Sequence, residues 1–373
     1  MVLKIVVVCV VVVLGVGDVT PALVNPVQDS NPQPREWPCP DETDFLPCTC
    51  TSNQNTDLKI DCSAVTSNIE LTRAFSVIFP FTDFVELRIV QDPYDPDYNL
   101  NALDPFVFAG LSFEAVIIQG TKLSEVQDSV FEDSQHFLTY LNLAKNELYS
   151  FPFDTLELYT KLSSLVLDDN NLPELPDLFS PTLLSLSING NVNLYFSSDV
   201  FKNAPRLQTI SLARNNLDTL PPHVFHPLDN ITIINLEGNG LTFLEEATFD
   251  SPRDTVTQII LDNNMIDSID NTSVQGLTPD ALVSLVGNDV SELNETNWRV
   301  LFDQVPSGTI DLSENPLVCG CDMDWLFLAP YDTYRGVLTN TTTCTDGSQV
   351  RYLDESFFIT ECASDSSDYL FYD

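Results

Sequence analysis

Three histidines, His136, His223 and His226, carry all the imidazole chemistry of this 373-residue chain. His223 and His226 lie in Pro222-His-Val-Phe-His226, two residues before and one after Phe225, which reads as a loop around an apolar anchor rather than an acid–base pair. No nucleophile elbow, phosphate-binding glycine loop or H-E-x-x-H segment accompanies them. With 55 Asp and Glu, some carboxylates always lie close together, so proximity alone identifies no general acid and base. Asp95-x-Asp97-x-Asn99-x-Asn101 opens like a calcium loop. Its sixth position is Leu100 where glycine is needed, its twelfth is Phe106 where a bidentate Glu is needed, and Pro96 restricts the turn. It reads as a solvated loop, and no metal, cofactor or catalytic residue is expected.

Cysteine chemistry is better defined. Cys9 lies in the apolar run Ile5 to Val16 that follows Lys4, which has the form of a secretory signal peptide ending near Gly17. Eight cysteines remain, in two groups of four: Cys39, Cys48, Cys50 and Cys62, then Cys319, Cys321, Cys344 and Cys362. An even count behind a signal peptide implies disulfides. Each group allows three pairings, and the poor placement of Cys-x-Cys neighbours for bridging one another leaves two. No second apolar segment or lipid-anchor tail follows, so a secreted product without a membrane anchor is expected. The formal charge of −40 disfavours nucleic acid and anionic membranes and keeps the chain soluble.

Between the cysteine groups, Leu-x-x-Leu-x-Leu-x-x-Asn-x-Leu recurs about ten times. The last polar anchor of each copy falls at Asp92, Thr121, Asn146, Asn170, Asn191, Asn215, Asn239, Asn264, Asn288 and Asn315. A period of roughly 24 residues is the signature of a leucine-rich-repeat solenoid. Each copy supplies one short strand whose apolar residues no single copy can bury, so stacked neighbours complete the core. The anchor amide, with two donors and an acceptor, can satisfy backbone groups where the chain leaves the sheet. Ten residues later stand Phe131, Leu156, Phe201, Phe225, Phe249, Val274 and Trp298, a second column expected to pack the return side. The 21-residue step before Asn191 is the one shortening; there Phe179 stands nine residues after its anchor, which suggests a tightened return turn.

The expected fold is therefore α/β, a curved parallel sheet on the concave face with loops and short helical turns on the convex face, closed by disulfide-bonded caps. The expected organisation is a signal peptide over 1–17, a Pro-rich leader over 18–38, an N-terminal cap over 39–83, repeats over 84–317, a C-terminal cap over 318–362 and an acidic tail over 363–373. On the strand face, Ile117, Tyr140, Val166, Ile233 and Ile260 are the apolar exceptions in polar columns and the candidate contact for a protein partner. Asn230, Asn271, Asn294 and Asn340 head Asn-x-Ser/Thr sequons outside the strands and are candidate glycosylation sites.

Phe151-Pro-Phe-Asp-Thr-Leu156, Trp298-Arg-Val-Leu-Phe302 and Asp311-Leu-Ser-Glu-Asn-Pro-Leu-Val-Cys-Gly-Cys-Asp-Met-Asp-Trp-Leu326, with Asp346-Gly-x4-Leu353-Asp354, carry a more particular resemblance. The chain resembles, from Cys39 to Cys362, a group of secreted arthropod repeat proteins named after the non-catalytic subunit of oplophorus-luciferin 2-monooxygenase. The resemblance implies first-to-third and second-to-fourth pairing in each cap: Cys39 with Cys50, Cys48 with Cys62, Cys319 with Cys344, Cys321 with Cys362. It also implies an accessory or stabilising role beside a separate extracellular catalytic chain. A stand-alone recognition protein of defence, adhesion or matrix is the alternative expectation, and catalysis by the chain itself the third.

Overall fold

The computed structural model describes residues 38–53, 57–328 and 334–362. The signal peptide, nearly all of the leader and the acidic tail expected from sequence lie outside the described residues. The strands are short: β1 (Thr49–Ser52), β2 (Leu58–Asp61), β3 (Asp83–Val90), β4 (Ser112–Gln119), β5 (Tyr140–Asn142), β6 (Ser164–Val166), β7 (Ser185–Ser187) and β8 (Thr209–Ser211). They continue as β9 (Ile233–Asn235), β10 (Phe243–Leu244), β11 (Phe249–Asp250), β12 (Val256–Ile260), β13 (Ser268–Ile269), β14 (Val274–Gln275), β15 (Leu277–Ser284) and β16 (Thr309–Asp311). A 12-stranded sheet runs β1 to β9, then β12, β15 and β16. Only β1 and β2 pair antiparallel; every later step is parallel and joins consecutive repeats.

Strand residues alternate by the two-residue period of a pleated strand. Leu165, Leu186, Ile210 and Ile234, the central residues of β6 to β9, are buried one above another in register. A single repeat thus contributes one rung of a core that only its neighbours close. On the return side Phe201, Phe225 and Phe249 stack with centroids 6.0 and 5.5 Å apart, and Trp298 is fully buried in α1 (Glu295–Gln304). Two further parallel pairs, β10 with β13 and β11 with β14, tie return segments together.

The shortened repeat differs from its sequence reading. Phe179 is 46% exposed, while Leu178 and Ser180 are fully buried. The segment pairs with the next repeat through Leu178 N–H to Val200 O and Ser180 N–H to Asn203 O, so the backbone turns Phe179 outward between two inward residues. The small Ser180 takes the column position between Leu156 and Phe201.

Both ends are closed covalently: Cys39–Cys50 and Cys48–Cys62 at one end, Cys319–Cys344 and Cys321–Cys362 at the other. Under the first cap, Phe45 meets Phe75 and Phe79 edge-on. In the second, Phe327 stacks on Phe358 at 4.3 Å and Trp325 Nε1 donates to Leu293 O at 2.7 Å. These contacts cover the apolar edges that terminal repeats would otherwise expose.

Candidate protein-binding face

The strand face is held in place from behind by the anchor amides. Asn170 Nδ2 donates to Leu167 O of its own repeat (3.0 Å) and Leu143 O of the one before (2.9 Å), while its Oδ1 accepts from Leu148 N (3.0 Å). Asn239 bonds alike to Leu236 O and Leu212 O and accepts from Asn215 N and Leu217 N. Asn146, Asn170, Asn191, Asn215, Asn239, Asn264, Asn288 and Asn315 are all buried. Each amide therefore ties two repeats and a loop with groups that water cannot reach.

The first two positions of this column depart from it. Thr121, also buried, joins through its hydroxyl, which donates to Asn146 Oδ1 at 2.7 Å. Asp92 does not join: its side chain is exposed and accepts from Tyr94 N. Gln91, one residue earlier, reaches back instead, its Nε2 donating to Val65 O at 2.6 Å. A carboxylate has no N–H to give to the carbonyls this position must satisfy, and the neighbouring amide supplies one.

A second ladder, which the sequence pattern did not disclose, runs along the strand face itself. Two residues before the anchor, Asp168 Oδ1 accepts from Ser187 Oγ (2.8 Å) and Asn189 N (2.7 Å) of the next repeat. Asn189 Oδ1 accepts in turn from Ser211 Oγ and Ala213 N, both at 2.7 Å. Asp262 repeats the arrangement with Ser284 Oγ (2.5 Å) and Val286 N (3.1 Å). Burial pushes the carboxyls of Asp168 and Asp262 above the usual 3.8, against the opposing pull of these hydrogen bonds. The hydroxyls in the middle of the face are thus oriented by the fold rather than left to solvent. The signal was available: Asp or Asn two before an anchor, with Ser two before the equivalent position of the next repeat.

The five apolar candidates fall into two groups. Ile117 on β4, Tyr140 on β5 and Val166 on β6 are half-buried neighbours around Asn142, whose Nδ2 donates to Tyr140 Oη at 2.8 Å. Ile233 on β9 and Ile260 on β12 lie on the far side of β7 and β8, whose outward residues Ser185, Ser187, Thr209 and Ser211 are polar. Ile260 departs from the expectation of an exposed anchor: it is only 9% exposed, flanked in register by Asn235 and Ser284. Leu282, in register with Gln258 one strand beyond, is half-buried on the same face and extends the second group. It escapes the leucine pattern because Asp280 fills the first repeat position, yet counting back six from Asn288 finds it.

The 92–108 interruption packs beside the strand ends and bounds a cleft of about 950 Å³ with Gln91, Tyr94, Gln119, Lys145 and Glu147 among its walls. Asp95 caps Asp97 N, and Asn101 Oδ1 accepts from Asn68, so these side chains serve turns and packing. Among the sequons, Asn230, Asn271 and Asn340 are exposed, while Asn294 is half-buried and caps α1 by accepting from Asn297 N at 3.1 Å. Among the described residues no helix is long and apolar enough to cross a membrane.

A family model described as "Leucine rich repeat" matches residues 181–241. The non-catalytic subunit of oplophorus-luciferin 2-monooxygenase from Oplophorus gracilirostris is 28% identical over 326 residues, covering 87% of this chain and 88% of that one. Tsukushi from Xenopus tropicalis is 31% identical over 164 residues, 43% of this chain and 45% of its own. Among solved structures, the octameric complex of Latrophilin 3, Unc5D and FLRT2 contains a chain that matches with a TM-score of 0.61 at 16% identity, over 84% of this chain and 98% of that one. Human 5T4 matches at 0.50 and 17% identity, over 82% and 95%. At such identities these structures bear on fold alone. Repeat register, amide ladder, paired caps and these likenesses agree: the chain folds as a leucine-rich-repeat solenoid and is similar along most of its length to the luciferase non-catalytic subunit.

Proposed function

We propose that this chain is a secreted, non-catalytic protein-binding solenoid that acts as an accessory or stabilising subunit of an extracellular enzyme complex of the luciferase type. The observation that carries this reading is similarity, over 87% of this chain and 88% of the other, to a chain named as a non-catalytic subunit. The strand face supports it, since half-buried apolar side chains beside pre-oriented hydroxyls suit a protein surface. Four disulfides suit an oxidising compartment, and glycans on the sequon asparagines would lie away from the strands.

The test is affinity purification of the tagged full-length chain from the native secretion, with oxidative activity assayed in the eluate. The reading expects one stoichiometric partner that carries all turnover and loses activity faster when separated. Stoichiometric capture of a partner without enzymatic activity would favour a free recognition protein. Turnover by the isolated chain would refute the non-catalytic reading.

A further inference from the structure

On the return side, two consecutive repeats bring together the only trio of His, Cys, Asp or Glu side chains among the described residues whose ligand atoms all lie within 4.8 Å of one another: His223, His226 and Asp250. The repeat register explains the meeting. Phe225 and Phe249 stack face to face, 5.5 Å apart and 3° from parallel, and the residue after each is His226 or Asp250. His223 enters from the same turn, its N–H bonded to Ala247 O at 3.2 Å and its φ at +60°. His223 Nδ1 stands 2.5 Å and His226 Nδ1 3.0 Å from one oxygen of Asp250, Oδ2.

This is more than a surface ion pair. The Asp250 side chain is only 12% exposed, and its other oxygen, Oδ1, is buried without a hydrogen-bond partner. Two imidazole nitrogens crowd one carboxylate oxygen while the second accepts nothing, although a buried acceptor ordinarily finds a donor. Both Nδ1 atoms face Asp250 Oδ2, and His226 Nδ1 also lies 3.2 Å from Asp250 O, so a cation seated among them would take both Nδ1 lone pairs and the carboxylate in place of these hydrogen bonds. The imidazoles are 63% and 59% exposed, so they are free to turn, and the solvent side remains open.

We propose that His223, His226 and Asp250 bind one divalent transition-metal ion of the zinc class, leaving at least one coordination position open to water or an incoming ligand. Two imidazoles and one carboxylate suit zinc, copper, nickel or iron, whereas calcium and magnesium prefer oxygen ligands. Metal–ligand distances of about 2.0–2.2 Å put tetrahedral ligand atoms roughly 3.3 Å apart, so His223 swings outward by under about 1 Å. The −40 formal charge raises local cation concentration without itself making a site. The proposal does not depend on the strand face, and either can fail without the other.

The test is titration of the chelator-stripped full-length chain with Zn²⁺ at pH 7.5, in excess Mg²⁺ to occupy scattered carboxylates, read by calorimetry against a competing chromophoric chelator. One equivalent should bind. Binding should weaken at least about tenfold, about 1.4 kcal/mol, in His226→Ala and in His223→Gly. Glycine suits the left-handed backbone at 223, so that variant keeps its fold, checked by circular dichroism. Absence of a stoichiometric site under excess Mg²⁺, or parent-like affinity in both histidine variants, would overturn the assignment.

Discussion

The strand side and the return side of the same coil obey different rules. On the strand side, backbone hydrogen bonds dictate the conformation of every repeat from the second on. The residue before each anchor is left-handed at Gly120, Lys145, Asp169, Gly190, Arg214, Gly238, Asn263, Gly287 and Glu314, whether or not it is glycine. Non-glycine residues rarely adopt that conformation, so the amide ladder overrides local preference. On the return side only apolar stacking is shared. The connecting backbone is a 3₁₀ turn at Phe153–Leu158, a strand pair at β11 and β14, and a helix at α1. Packing tolerates varied backbone where a hydrogen-bonded ladder does not, and singular chemistry such as His223, His226 and Asp250 arises on the tolerant side.

The largest effect should come from opening the ends that hold both sides in register. The closed loops span 11, 14, 25 and 41 residues, and each disulfide restricts the unfolded chain by roughly 3–4 kcal/mol in the chain-entropy picture. Reduction should therefore lower the thermal midpoint sharply and bring aggregation, followed by light scattering. An unchanged midpoint would mean that the repeats need no caps.

Next is the return column. Phe225→Ala, at a fully buried position, should cost about 3–5 kcal/mol in chemical denaturation. Asn215→Ala should cost about 1–3 kcal/mol, since it strands Ile188 O and Asn191 N, bonded at 2.8 and 2.7 Å. Asn216→Gly is the matched control: exposed, with φ +59°, it should change stability by under about 0.5 kcal/mol. Equal losses at 215 and 216 would dissolve the distinction between ladder and surface.

The smallest effect is electrostatic. Because burial raises the Asp168 carboxyl above its ordinary 3.8, its contribution to stability is fully present below that value and is lost as pH rises through the raised one. Asp168→Asn keeps an acceptor for Ser187 and Asn189 while removing the buried charge. It should be slightly more stable than the parent at neutral pH and lack this part of the pH slope, read as thermal midpoint against pH. A variant less stable at pH 7 would mean that the charge strengthens the ladder by more than its burial costs.

Fold and ladder were legible in sequence because periodicity averages over many copies. Asn215 is identified by nine equivalents, not by its own neighbours. The departures occur where a single residue decides. Asp92 fits the spacing but lacks the N–H that Gln91 supplies. Phe179 fits the composition but falls one place off the inward register. Ile260 fits a polar column as an exception, and its neighbours cover it. The His223–Asp250 contact links residues 27 apart, a separation that becomes proximity only once Phe225 and Phe249 stack.

Whether the strand face is the partner surface is tested most directly with Tyr140 and Val166, outward neighbours on β5 and β6 whose replacement leaves the core rungs Leu141 and Leu165 untouched. The purified partner is titrated against the parent and the Tyr140→Asp/Val166→Asp double variant by surface plasmon resonance, with thermal midpoints measured in parallel. The account expects at least a tenfold loss of affinity, about 1.4 kcal/mol, at an unchanged midpoint. Parent-like binding by the correctly folded double variant would contradict it.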